Sequence, residues 1–159
     1  MRTGERRYSV SVEGPGIDPL IMDPAPGYDT KMPHDMAHFI VENEMGIEGG
    51  LFGQLAAGGH AGTFRPVEGG KMPSRKAKKG GRLAAESRND ADLSERLVYW
   101  VWQIWTGHPD KAAPVKGYTE TDIQHICSRF KEISAEWEAL TVGGSLTLGW
   151  RGKAKRPHP

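Results

Sequence analysis

The sequence predicts an α+β fold: a small antiparallel sheet from both termini, packed on about three to four helices. Residues 7–13 (RYSVSVE) and 145–151 (SLTLGWR) alternate apolar and polar side chains, the period of a half-buried strand. Ile123, Ile126, Cys127, Phe130, Ile133, Trp137 and Leu140 instead recur at a helical spacing. The 159 residues, 37% hydrophobic and 26% charged, fit one domain with a sizeable core.

In chain order, Tyr8, Val10 and Val12 share one face of the first strand. Gly14-Pro15-Gly16 is turn chemistry, and residues 19–23 (PLIMD) form the return strand. Pro33 suits the first turn of a helix, where its missing N–H has no partner to lose, and Gly46 suits a left-handed cap at the far end. Residues 51–57 (LFGQLAA) read as a second, short helix. From residue 58 to about 88 no apolar period survives, and residues 65–88 read as a mobile basic loop. Asp90 or Asp92 caps the next helix, whose second half, residues 97–105 (LVYWVWQIW), is apolar almost all round and so expected at the centre of the core. Thr119 with Asp122 resembles a capping box and opens the helix of residues 120–140, which Gly143-Gly144 ends. Residues 145–151 are expected to pair with the N-terminal strand. The domain is thus read as residues 1–152, with 153–159 a flexible basic tail.

The formal net charge is +1, unevenly spread. Residues 1–60 carry nine acidic and four basic side chains, whereas 71–82 carry six basic ones and no acid. No run approaches the roughly 18 apolar residues of a membrane span. The N-terminal residues lack the order of a signal peptide, so a cytoplasmic location is expected. One cysteine, Cys127, excludes an intrachain disulfide framework and an all-cysteine zinc site. On the apolar stripe of its helix it reads as a structural thiol. There is no phosphate-binding GxxxxGK[ST], no GxGxxG after a strand and no GxSxG.

The chemistry concentrates in residues 33–42 (PHDMAHFIVE). His34 and His38 lie four apart, one turn above each other on one helical face, and can reach a common divalent ion. Asp35 stands where it can act as base, ligand or orienter of a ligand. Glu42 continues the same face, about 12 Å along the axis from His34. Glu42 and His60 are the first candidates for a further ligand, with Glu44 and Glu48 behind them. Zinc is the first candidate metal. The competing reading is a solvated polar face that needs no ion. His125, opposite the apolar stripe, reads as solvated, and His108 as a helix-end dipole contact. Tyr99, Trp100, Trp102 and Trp105 read as core before substrate pocket. The basic loop of Lys71, Arg75, Lys76, Lys78, Lys79 and Arg82 has no interleaved aromatics, so nucleic acid is a possible but not the favoured partner.

Residues 32–42 (MPHDMAHFIVE) and 53–57 (GQLAA) resemble a group of small uncharacterised bacterial proteins. His34-Asp35-x-x-His38 also resembles the HDxxH signature of the ubiquinone-biosynthesis accessory zinc proteins. That resemblance implies a metal held by the two histidines and the aspartate, with a later glutamate from the next helix. At the comparable place this chain has Gln54. Residues and resemblance together predict a divalent-metal protein, with a metal-dependent hydrolase acting on a small molecule or peptide as the first reading. Here His34, His38, Glu42 and His60 are ligands and Asp35 the catalytic carboxyl. The alternative is a non-catalytic protein- or nucleic-acid-interaction domain with solvated histidines. Substrate, metal identity and oligomeric state are not specified by the sequence.

Overall fold

The computed structural model of the chain describes residues 1–69 and 71–152. It is an α+β fold with two small antiparallel sheets and five α-helices among the described residues. β1 (Arg2–Gly4) pairs with β2 (Arg7–Tyr8). β3 (Val10–Gly14), β4 (Ile17–Met22) and β5 (Arg65–Pro66) form the second sheet in that order. The alternating segment 7–13 is therefore two strands divided at Ser9, each paired in a different sheet. Val10 stands opposite Met22 and Val12 opposite Leu20. That register turns the apolar face onto Phe52, Leu55, Phe64 and Trp137.

α1 (His34–Met45) begins after Pro33 and ends at Gly46, whose φ of 65° is the left-handed cap expected there. α2 (Leu51–Ala56) follows after a short loop. α4 (Arg88–Trp105) and α5 (Glu120–Ala139) pack with α1 around Ile40, Val41, Leu97, Val101, Ile126 and Phe130. The capping box at Thr119 and Asp122 is present in both directions. All of Ile123, Ile126, Phe130, Ile133 and Trp137 are buried, so the α5 stripe is as read. Cys127 is half-buried, and burial pushes its thiol up, as a structural cysteine requires.

Four expectations change. Residues 65–88, read as a loop, contain helix α3 (Ser74–Glu86). Its less exposed positions include Ala77 and Gly80, side chains too small to register as an apolar period, with Leu83 half-buried. Residues 145–151 form no ladder. Leu146 and Leu148 pack on the helical core, and Trp150 lies edge-on to Phe39 at 5.9 Å between centroids. The alternation reports burial on one side, not strand pairing. The termini do meet: Arg2 N–H donates to Gly144 O, and Gly143 N–H to Arg2 O, at 2.9 and 2.8 Å. The Trp-rich half of α4 is not enclosed, because Tyr99 is 53% exposed and Trp102, Ile104 and Trp105 are only partly buried. Finally, Ser87 takes the N-cap position of α4, while the Asp90 carboxylate accepts from Gly49 N–H at 3.0 Å and fixes the loop before α2. The tail expected at 153–159 lies outside the described residues.

Phe130 is fully buried, with Trp105 edge-on to it at 5.6 Å. Phe130→Ala should cost about 3–5 kcal/mol, read as a lower urea midpoint at unchanged slope.

Candidate metal centre

The centre is organised by a carboxylate that is completely buried. Glu42 shows 0% exposure, yet each of its oxygens is provided for. Oε1 accepts from Leu51 N–H at 2.9 Å and from the Ser94 hydroxyl at 2.8 Å. Oε2 accepts from Phe52 N–H at 2.8 Å and, more distantly, Gly53 N–H at 3.4 Å. The first-turn N–H groups of a helix have no partner within it, and a carboxylate one turn of α1 past His38 supplies one. The approach needs Gly50: a Cβ there would sit 2.2 Å from the Glu42 carboxyl carbon. Gln54 Nε2 closes the same loop by donating to Gly49 O at 2.9 Å.

Ser94 passes this constraint to His38. A hydroxyl has one proton, and that proton goes to Glu42. His38 Nδ1, 3.0 Å from Ser94 Oγ, must then be the donor. In the neutral ring Nε2 is then the nitrogen that carries the lone pair. His38 is 5% exposed, and its Nε2 has no hydrogen-bond partner among the described residues. Glu95 Oε2 lies 3.6 Å from it, too far for a hydrogen bond. The His34 ring packs edge-on to His38 with centroids 4.6 Å apart. One ligand atom each from His34, His38 and Glu95 falls within 4.8 Å of the others, so the group could hold a metal ion. Two donors on a tetrahedral ion at about 2.0–2.2 Å stand about 3.3–3.6 Å apart, the separation of Nε2 and Glu95. His34 and Glu95 are exposed, so their side chains are free to adjust toward a shared ion.

Asp35 lies on the same cavity wall but turns one oxygen to Tyr8. The Tyr8 oxygen is in contact with both Asp35 Oδ2 and Pro26 O. A phenol has one proton for two acceptors, so both contacts are satisfied together only when the carboxyl carries its own. Burial holds Asp35 above the ordinary carboxylate range, against the opposing pull of the Tyr8 bond and of His34 and His38. Burial, followed by the bond to Asp35 and its charge, pushes the Tyr8 phenol far up.

Of the residues predicted for the site, the structure brings His34 and His38 together with Glu95. Glu42 is not in that group; it is the buried anchor behind it. His60 lines the cavity, but its Nδ1 accepts from Gly62 N–H at 3.0 Å and its ring lies against Gly80, where a Cβ would be 2.4 Å away. Glu44 faces His125, Arg129 and Arg151 on another surface, so His125 is paired rather than simply solvated. Glu48 is exposed and outside the group. His108 Nδ1 lies 3.3 Å from Thr106 Oγ1 just past the end of α4, consistent with a helix-end role. Ser94 and Glu95 were not legible as site residues. Ser94 had a signal: it precedes Leu97, Val98 and Val101 at helical spacing, and a serine on a buried stripe needs a polar partner.

The group opens into a cavity of about 760 Å³ between α1, α3 and α4. No protein-family model, curated protein or solved structure matches the chain. The His-Asp-x-x-His likeness therefore rests on the residues of α1 alone.

Gly50→Ala drives a methyl into the Glu42 carboxyl. It should cost about 1–3 kcal/mol in chemical denaturation, whereas the exposed Gly81→Ala should not destabilise. For Asp35 the sign follows from its raised pKa. The folded chain keeps this proton at pH values where the unfolded chain, near 3.8, has lost it. The contribution to stability is full below that value and declines as pH rises through the folded one. In chelated, metal-free protein, the stability of Asp35→Asn relative to wild type should therefore rise from pH 4 toward 7. A pH-independent difference would contradict the assignment.

Proposed function

We propose that the protein binds a divalent cation, zinc first, through His34, His38 and Glu95, and acts as a hydrolase on a small molecule or peptide. The observation that carries this reading is the buried, unpartnered Nε2 of His38, which the Glu42–Ser94 relay makes the lone-pair nitrogen of the neutral ring. An orphaned buried acceptor has a free-energy cost that an ion removes. Three side-chain ligands leave coordination positions open, and such an ion supplies Lewis acidity to a water or a carbonyl. Asp35 lines the same wall and is the carboxyl placed to exchange a proton with the reacting group. A cavity of about 760 Å³ suits a small molecule or a short peptide segment. The likeness of residues 34–38 to the HDxxH zinc proteins supports the ion without specifying the reaction.

A second reading has its own observation. Arg75, Lys78 and Lys79 are exposed on α3, a cationic surface suited to a polyanion. On that reading the histidines bind nothing.

Zinc titration by calorimetry, with metal analysis of the purified protein, separates the two. Wild type should take up one equivalent. His34→Ala and His38→Ala should abolish uptake, and Glu95→Gln should weaken it at least tenfold. Ser94→Ala should weaken it about 10- to 100-fold by releasing the tautomer. Protons compete for the same lone pair, so affinity should fall on acidification. Asp35→Asn should keep the metal. Wild-type protein that neither binds zinc nor gains thermal stability from it would overturn the reading.

A further inference from the structure

The charged side chains around the cavity are almost all engaged. Asp35 faces Tyr8, Glu42 is enclosed by backbone N–H groups and Ser94, and Glu95 belongs to the candidate metal group with His34 and His38. Arg88 is the exception. It lines the cavity, is exposed, and has neither an ion pair nor a hydrogen bond to another described residue. It sits where α3 and α4 meet at Ser87.

Its position on α4 is informative. Arg88, Ala91 and Glu95 follow at i, i+3 and i+7, so all three lie on one helical stripe, and all three line the cavity. Seven residues of helix separate Arg88 from Glu95 by about 10 Å along the axis. The same cavity is also lined by small residues, Ala91 on α4 and Ala77, Gly80, Gly81 and Ala84 on α3, with the His60 ring against Gly80. A cation and a three-ligand group with an unpartnered imidazole nitrogen, two turns apart on one stripe of α4, and small residues lining the same cavity describe the shape of a ligand.

Resting on the metal reading above, we infer that the substrate is an elongated small molecule with a terminal oxyanion, carboxylate or phosphate. The oxyanion pairs with the Arg88 guanidinium, an apolar body about 10 Å long lies over the α3 wall, and the reacting group reaches the His34–His38–Glu95 end. Guanidinium matches both oxyanions through two parallel N–H bonds, which makes Arg88 a specificity residue.

The test uses suberic acid monohydroxamate, whose hydroxamate ligates zinc and whose carboxylate reaches the other end. Its methyl ester is the neutral control, and a phosphonate-terminated analogue of equal length is the second oxyanion. Affinities are measured by calorimetry on wild type, Arg88→Ala and Arg88→Lys, with zinc and after chelation. Wild type should prefer the carboxylate over the ester at least tenfold. Arg88→Ala should bind the two equally while its zinc affinity is unchanged, and Arg88→Lys should keep part of the preference. The phosphonate arm ranks the two oxyanions; a preference for either over the ester that requires Arg88 supports the inference. Equal affinity of acid, phosphonate and ester in wild type, or a preference that survives Arg88→Ala, overturns it. If zinc fails to bind but the Arg88-dependent preference persists in chelated protein, the metal reading falls and the oxyanion site stands. If zinc binds and no such preference exists in either form, only the oxyanion site falls.

Discussion

The carboxylate of Glu42 is the constraint on which the rest of the structure depends. An ionised group with no exposure is tolerable only where every acceptor direction is filled. Here the donors come from the first turn of α2 and from a hydroxyl on α4, elements far apart in the sequence. Satisfying one group therefore positions three helices against each other. The same demand accounts for Gly50, whose missing side chain makes room for the carboxyl. It also accounts for the neighbouring use of Asp90, which braces Gly49 from the α4 side. Removing Glu42 would leave orphan N–H groups and an undirected serine as well as a cavity, a loss larger than that of an average buried side chain.

Much of the fold was legible because local chemistry and tertiary structure agree. The Pro33 start and Gly46 stop of α1, the Thr119 capping box and the α5 stripe are cases where the local pattern and the core make the same demand. Where the reading failed, the missing information was non-local or non-hydrophobic. α3 packs through alanine and glycine, which carry no hydropathy signal. The alternation of residues 145–151 is real, but period-2 burial does not distinguish a ladder from an unpaired segment packed on helices. The apolar belt of α4 predicts enclosure, yet a small domain leaves part of such a belt partly exposed.

The candidate site divides along the same line. His34 and His38 were legible because their relation is local, four residues on one helix. Glu95 was not, since nothing in α4 marks an exposed glutamate as a neighbour of α1. Glu42 reads as part of the polar face, and the structure places it behind the group rather than in it. Its sequence position announces proximity to the histidines, whereas the distinction between a ligand and an anchor depends on where the first turn of α2 falls. Helical spacing thus brings out the face that His34 and His38 share, but not the place of Glu42 behind it.

The Ser94 hydroxyl has a further consequence. It belongs to α4, sits 56 residues beyond His38, and makes the tautomer of an α1 histidine depend on how the two helices dock. Any ligand that prefers Nε2 as a lone pair is then thermodynamically linked to that docking. By reciprocity, the free energy by which docked α4 favours the ligand is the free energy by which the ligand favours docked α4. One serine thereby couples occupancy at the cavity to the cohesion of the helical core.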